Sequence, residues 1–138
     1  MLPYVVGVLL SLVVAVFARY SGFDRDRAFY ATAVVVVASY YVLFAVMGGS
    51  VHALVIESIV MTVFAAAAVL GFRTSTWIVV AALAGHGALD SVHGHVIGNP
   101  GVPAWWPPFC MAYDFVAAAY LAAVLTIRAN APPAATAS

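Results

Sequence analysis

His86, Asp90 and His93 recur at i, i+4 and i+7, the spacing that stacks side chains on one face of an α-helix. Imidazole combined with carboxylate is a donor set for zinc, iron or manganese. The same groups also serve as acids and bases in proton transfer. All three residues sit in GHGALDSVHGHVIGNPGVPAWWPPFCMAYD, residues 85–114, which holds three histidines, two aspartates, the one cysteine and four prolines. Beyond that stretch the acids are Asp24, Asp26 and Glu57 only.

The elements that must carry these residues are set by the rest of the chain. Of 138 residues, 66% are hydrophobic and 7% are charged, whereas soluble domains carry roughly 25% charged residues. A bilayer-spanning helix takes about 20 apolar residues. Five stretches satisfy this: 2–18, 28–47, 51–71, 77–97 and 109–127. The expected fold is therefore all-α, an integral membrane bundle of five transmembrane helices in one domain, residues 1–128. Residues 129–138, ANAPPAATAS, read as a disordered cytoplasmic tail. The fourth span holds His86, Asp90, His93 and His95, so the alternative is four spans and a re-entrant segment broken near Gly85 or Gly87.

The chain has no lysine, and its arginines are Arg19, Arg25, Arg27, Arg73 and Arg128. They fall after spans one, three and five and never in the other two connections. Under the positive-inside rule the expectation is a multi-pass protein of the cell inner membrane, N-terminus outside and C-terminus cytoplasmic. The first span has its charges after the apolar run rather than before it, unlike a cleaved signal peptide. Zero net charge and the lack of lysine exclude the basic surface that nucleic acid requires. The expected partners are the lipid bilayer and a lipidic or small-molecule substrate. A single cysteine excludes an internal disulfide.

Helix rise then converts position into depth. At about 1.5 Å per residue, Glu57 and Asp90 each lie about 10 Å from the outer boundary and Asp114 about 7 Å. Three carboxylates from three helices are thus expected in one layer. An ionisable group in hydrocarbon costs at least a few kcal/mol, and no arginine is available in that layer. A proton, a histidine or a metal ion must compensate.

Two roles follow: His86, Asp90 and His93 as ligands of a divalent metal such as zinc, and Glu57 and Asp114 as catalytic acid or base. A metal-bound water attacking a carbonyl or phosphoryl centre makes the expected activity that of a metal-dependent intramembrane hydrolase. In the kind of residues alone, the arrangement resembles the intramembrane zinc hydrolases of the ceramidase and adiponectin-receptor type. Those have an H-x3-H pair on a late helix and seven spans, and this chain has neither. The alternative is a non-catalytic protein, either a proton- or ion-linked carrier or a subunit of a larger complex. A five-span carrier would be a homo-oligomer.

The remaining polar residues have plainer expectations. His52 and His95 lie near span ends and read as interfacial. Cys110 reads as a small buried hydrophobe, although it lies four residues before Asp114 on the same helical face. Tyr40 and Tyr41 reach the polar layer, where a hydroxyl would hydrogen-bond an acid. Gly87, Ser91, Gly94 and Gly98 form a small-residue stripe of the kind that lets membrane helices approach closely. Trp105 and Trp106 suit the aromatic belt at the membrane boundary, so the loop before span five is expected to be an interfacial anchor more than a lid.

Overall fold

A computed structural model describes residues 1–131. It contains five helices: α1 (Leu2–Ser21), α2 (Ala28–Met47), α3 (Val51–Arg73), α4 (Thr76–Val96) and α5 (Trp106–Ala129), with a 3-10 turn at Phe23–Arg25 between the first two. There is no strand among the described residues. α1, α2, α3 and α5 are long and apolar enough to cross a membrane. α4 matches them in length, at 21 residues, and is unbroken through Gly85 and Gly87. The break near Gly85 or Gly87 that the re-entrant alternative expected is absent, although α4 is not among the four helices apolar enough to cross a membrane. Most of the expected tail, residues 132–138, lies outside the described residues.

The helix ends follow local chemistry. α1 stops at Gly22, whose φ of 81° lies in the left-handed region that glycine enters without a Cβ clash. Between α2 and α3, Gly49 turns the chain at φ 64°, and the Ser50 hydroxyl caps α3 by accepting from the Ala53 N–H at 3.2 Å. α5 opens with Pro107 and Pro108 in its first turn, where a missing N–H costs little.

α4 is the central helix, packing against α5, α3 and α2, while α1 lies outside against α5. The small residues decide the closest approaches. A Cβ on Gly7 would collide with the Phe109 carbonyl on α5, and one on Gly87 would come within 3.3 Å of Asp114 Cβ. Lipid gives helices no hydrophobic reason to associate, so such backbone proximity supplies the packing energy. Only the inner part of the expected stripe does this, because a Cβ at Gly94 or Gly98 would meet nothing within 4 Å.

Consecutive helices alternate in direction, and α1 runs parallel to α5. All five arginines consequently gather at one end. There Asp24 is buried, with Arg19 Nη1 and Arg128 Nη2 each 3.7 Å from its Oδ2, and Arg27 Nη1 donates to the Thr74 carbonyl at 3.3 Å. The interior next to the arginine end is apolar: Val34 of α2, Ala68 of α3, Val79 and Leu83 of α4, and Ala118 and Leu121 of α5 pack as one cluster. The polar interior begins one turn further along α4.

Candidate metal centre

Seven residues of α4 face inward: Val79, Ala82, Leu83, His86, Gly87, Asp90 and His93. Their i, i+3, i+4 recurrence makes one continuous stripe, apolar toward the arginines and polar beyond Leu83. His86 is 1% exposed, Asp90 3% and Asp114 0%. His86 Nδ1–H donates to Asp114 Oδ2 at 2.7 Å and lies 3.5 Å from Asp90 Oδ2. One imidazole N–H therefore stands between two carboxylates, one from its own helix and one from α5. Cys110, one turn before Asp114, points its Sγ to 3.8 Å from the same Asp114 oxygen.

His86, Asp90, Cys110 and Asp114 each offer a ligand atom, and the four atoms lie within 4.8 Å of one another. The donors are one nitrogen, two carboxylate oxygens and one sulfur, a mixture suited to zinc or another borderline transition metal rather than to magnesium or calcium. Two atoms in this group have no hydrogen-bond partner although buried, Asp90 Oδ2 and Asp114 Oδ1. A buried unpaired carboxylate oxygen is expensive, and a cation among these four groups would satisfy both.

A second group sits one turn further along α4. His93 Nε2–H donates to Glu57 Oε1 at 2.9 Å. Asn99, from the loop between α4 and α5, donates through Nδ2 to the same oxygen at 2.9 Å and to the Tyr41 carbonyl at 3.0 Å. The Gly101 N–H donates in turn to Asn99 Oδ1 at 3.2 Å. A Cβ on Gly101 would collide with the Phe44 carbonyl, so this loop lies directly on the end of α2. Tyr41 joins the two groups. Its hydroxyl donates to Asp90 Oδ1 at 2.6 Å, and its ring stacks on His93 at 4.1 Å between centroids.

The five residues singled out from the sequence are thus all buried and divided between two neighbouring groups. His86, Asp90 and Asp114 come together. His93 shares their face of α4, but its ring nitrogen meets Glu57, which leaves it outside the four-residue group. Cys110 occupies the fourth position instead, a role its reading as a small hydrophobe did not foresee; its i, i+4 relation to Asp114 was the available signal. Asn99 had no signal in the sequence beyond being a polar residue in a Gly-Pro turn. Tyr41 reaches an acid as expected, whereas Tyr40 packs against Trp106 in a tilted pair with ring centroids 4.7 Å apart. His52 and His95 are exposed.

Open space borders the centre at Asp90 and, through a smaller cavity between α1, α2 and α5, at Cys110. A cavity of about 670 Å³ opens at the end opposite the arginines, and Tyr4, Asp90, Ser91, His93, Asn99 and Met111 are among its walls. The apolar cluster of Val34, Val79 and Leu83 closes the other direction. No family model, curated protein or solved structure matches this chain. The functional reading rests on these side chains.

Proposed function

We propose that this polytopic membrane protein holds a divalent transition metal ion between α4 and α5 and uses it to hydrolyse a small or lipidic substrate that enters through the cavity. The observation that carries this reading is the pair of partnerless buried oxygens, Asp90 Oδ2 and Asp114 Oδ1, in a four-donor group spanning 4.8 Å. Charge bookkeeping agrees with it. Glu57, Asp90 and Asp114 are three acids facing two histidines, so even two imidazolium ions leave one negative charge uncompensated in a region without arginine.

In this reading His86, Asp90 and Asp114 are ligands, with Cys110 as the fourth. A bound divalent ion would polarise a carbonyl or phosphoryl oxygen and make a nucleophile of water at neutral pH. Zinc held by all four side chains would be closed, whereas three-residue ligation, or an ion of higher coordination number, keeps a position open beside Asp90. His93 lines the same cavity and is held by Glu57, the arrangement of a base oriented by an acid. Compared with the sequence-based assignment, Asp114 moves to the ligand set and His93 joins Glu57 as the acid–base pair.

Elemental analysis of protein purified in mild detergent without chelator tests the proposal. We expect about one equivalent of metal per chain, lost in Asp114→Asn, and ester hydrolysis that stops on chelation and returns with added metal. Metal-free wild type that also fails to take up zinc, manganese or cobalt at micromolar concentration would overturn it.

A further inference from the structure

The cavity wall carries a second message, about the charge of what enters. We infer that it receives an organic ammonium group, such as a protonated amine, and excludes phosphate and carboxylate. This rests on the cavity being the access route described above and narrows the substrate class of that site.

Three independent features agree. First, no arginine is among the cavity-lining residues, and the chain has no lysine. Asp90 lines the cavity. Second, the N-terminus of α5, which borders the cavity through Pro107 and Pro108, is no anion cradle. A helix N-terminus attracts anions through free N–H groups. Here Pro107 and Pro108 have none, the Trp106 N–H donates to the Pro103 carbonyl at 2.9 Å, and the Phe109 N–H donates to the Trp105 carbonyl at 3.3 Å. Third, α4 ends at the cavity with its C-terminus, the negative pole of the helix dipole. The carbonyls of Gly94, His95 and Val96 accept no hydrogen bond from any described residue outside the helix, and Gly94 and His95 line the space.

A divalent ion below does not reverse this sign. The two carboxylates of Asp90 and Asp114 cancel its charge, and the carbonyl-rich rim is unaffected. A cation at the mouth meets acceptors on α4, and Tyr4 is also among the walls. An anion meets carbonyls and prolines, with the imidazoles of His93 and His95 as the donors that could receive it.

The test uses the full chain in detergent or nanodiscs, with three probes of equal chain length: n-butylammonium, n-butyl phosphate and butyrate. Calorimetric titration should show butylammonium binding at least about tenfold tighter than either anion, a difference of about 1.4 kcal/mol. Asp90→Asn should weaken butylammonium by about tenfold. Gly94→Arg uses a position with open space around it and should reverse the preference toward butyl phosphate, so the inference stays testable if Asp90→Asn does not fold. Tighter binding of dodecylammonium would place the natural ligand in the bilayer, and equal binding would place it in solution; both keep the ammonium assignment. Butyl phosphate binding as tightly as butylammonium, or a preference untouched by Gly94→Arg, would overturn it. Metal content measured on the same samples separates the two ideas. Metal-free protein that prefers butylammonium removes the metal reading alone, and metal-loaded protein that prefers phosphate removes this inference alone.

Discussion

Two buried aspartate environments at opposite ends of the bundle solve the same problem differently. At one end Asp24 faces two guanidinium groups, those of Arg19 and Arg128, whose side chains remain 64% and 43% exposed. Its charge is answered by permanent cations that still reach water. At the other end Asp90 and Asp114 share a single histidine and keep two oxygens without partners. The first arrangement has its charge balanced by ion pairs at 3.7 Å, although both Asp24 oxygens also lack a hydrogen-bond partner, and it ties α5 to the turn after α1. The second is short of one positive charge, the condition expected of a site that binds a cation or a proton.

The sharpest way to break this contrast is His86→Ala. It would leave Asp90 and Asp114 facing each other without their shared partner, and removing one member of a buried charge pair costs about 3–5 kcal/mol. We expect thermal unfolding in detergent to shift down accordingly, with metal content lost. Tyr41→Phe comes next. It removes the hydroxyl that donates to Asp90 but keeps the ring on His93, and loss of such an outer partner typically weakens metal affinity by about 10–100-fold. Competition against a chromophoric chelator would measure it. Cys110→Ala should act more weakly on affinity, because nitrogen and two carboxylates remain. Its signature is spectroscopic: cobalt-loaded wild type should show a near-ultraviolet sulfur-to-cobalt band that the variant lacks, and a band unchanged in the variant would remove Cys110 from the ligand set. The smallest effect is expected for Asp24→Asn. The guanidinium groups it releases are already wet, so the loss should be smaller than for His86→Ala, with metal content unchanged. If His86→Ala and Asp24→Asn cost the same, the two ends do not differ as described.

Much of this was legible beforehand. The hydropathy pattern marked all five helices, and their observed bounds differ by at most three residues at any end. That accuracy has a simple cause: helix length is set by one dimension, bilayer thickness against a 1.5 Å rise. The i, i+4, i+7 stripe identified the buried face of α4. Depth counting also brought Asp90 and Asp114, from different helices, to the same level. Partner choice was not legible. His93 and His86 lie seven residues apart on one face, yet one meets Glu57 of α3 and the other Asp114 of α5. That division depends on how far α4 is rotated between its two neighbours. Cys110 and Asn99 escaped for related reasons, one hidden by its usual role as a small apolar residue and the other held on a loop whose path follows from how Gly101 packs on α2.

The sequence by itself determined that this chain forms apolar helices, that its arginines share one end, and that Glu57, Asp90, Asp114 and the histidines lie toward the other. Those properties follow from hydropathy, chain direction and helical period, which are local. Only the tertiary structure decided that His86, Asp90, Cys110 and Asp114 converge while His93 turns to Glu57, and that a cavity reaches Asp90. The rotation of each helix about its axis is set by where glycine lets two backbones touch. It is a joint property of all five helices that no single segment encodes.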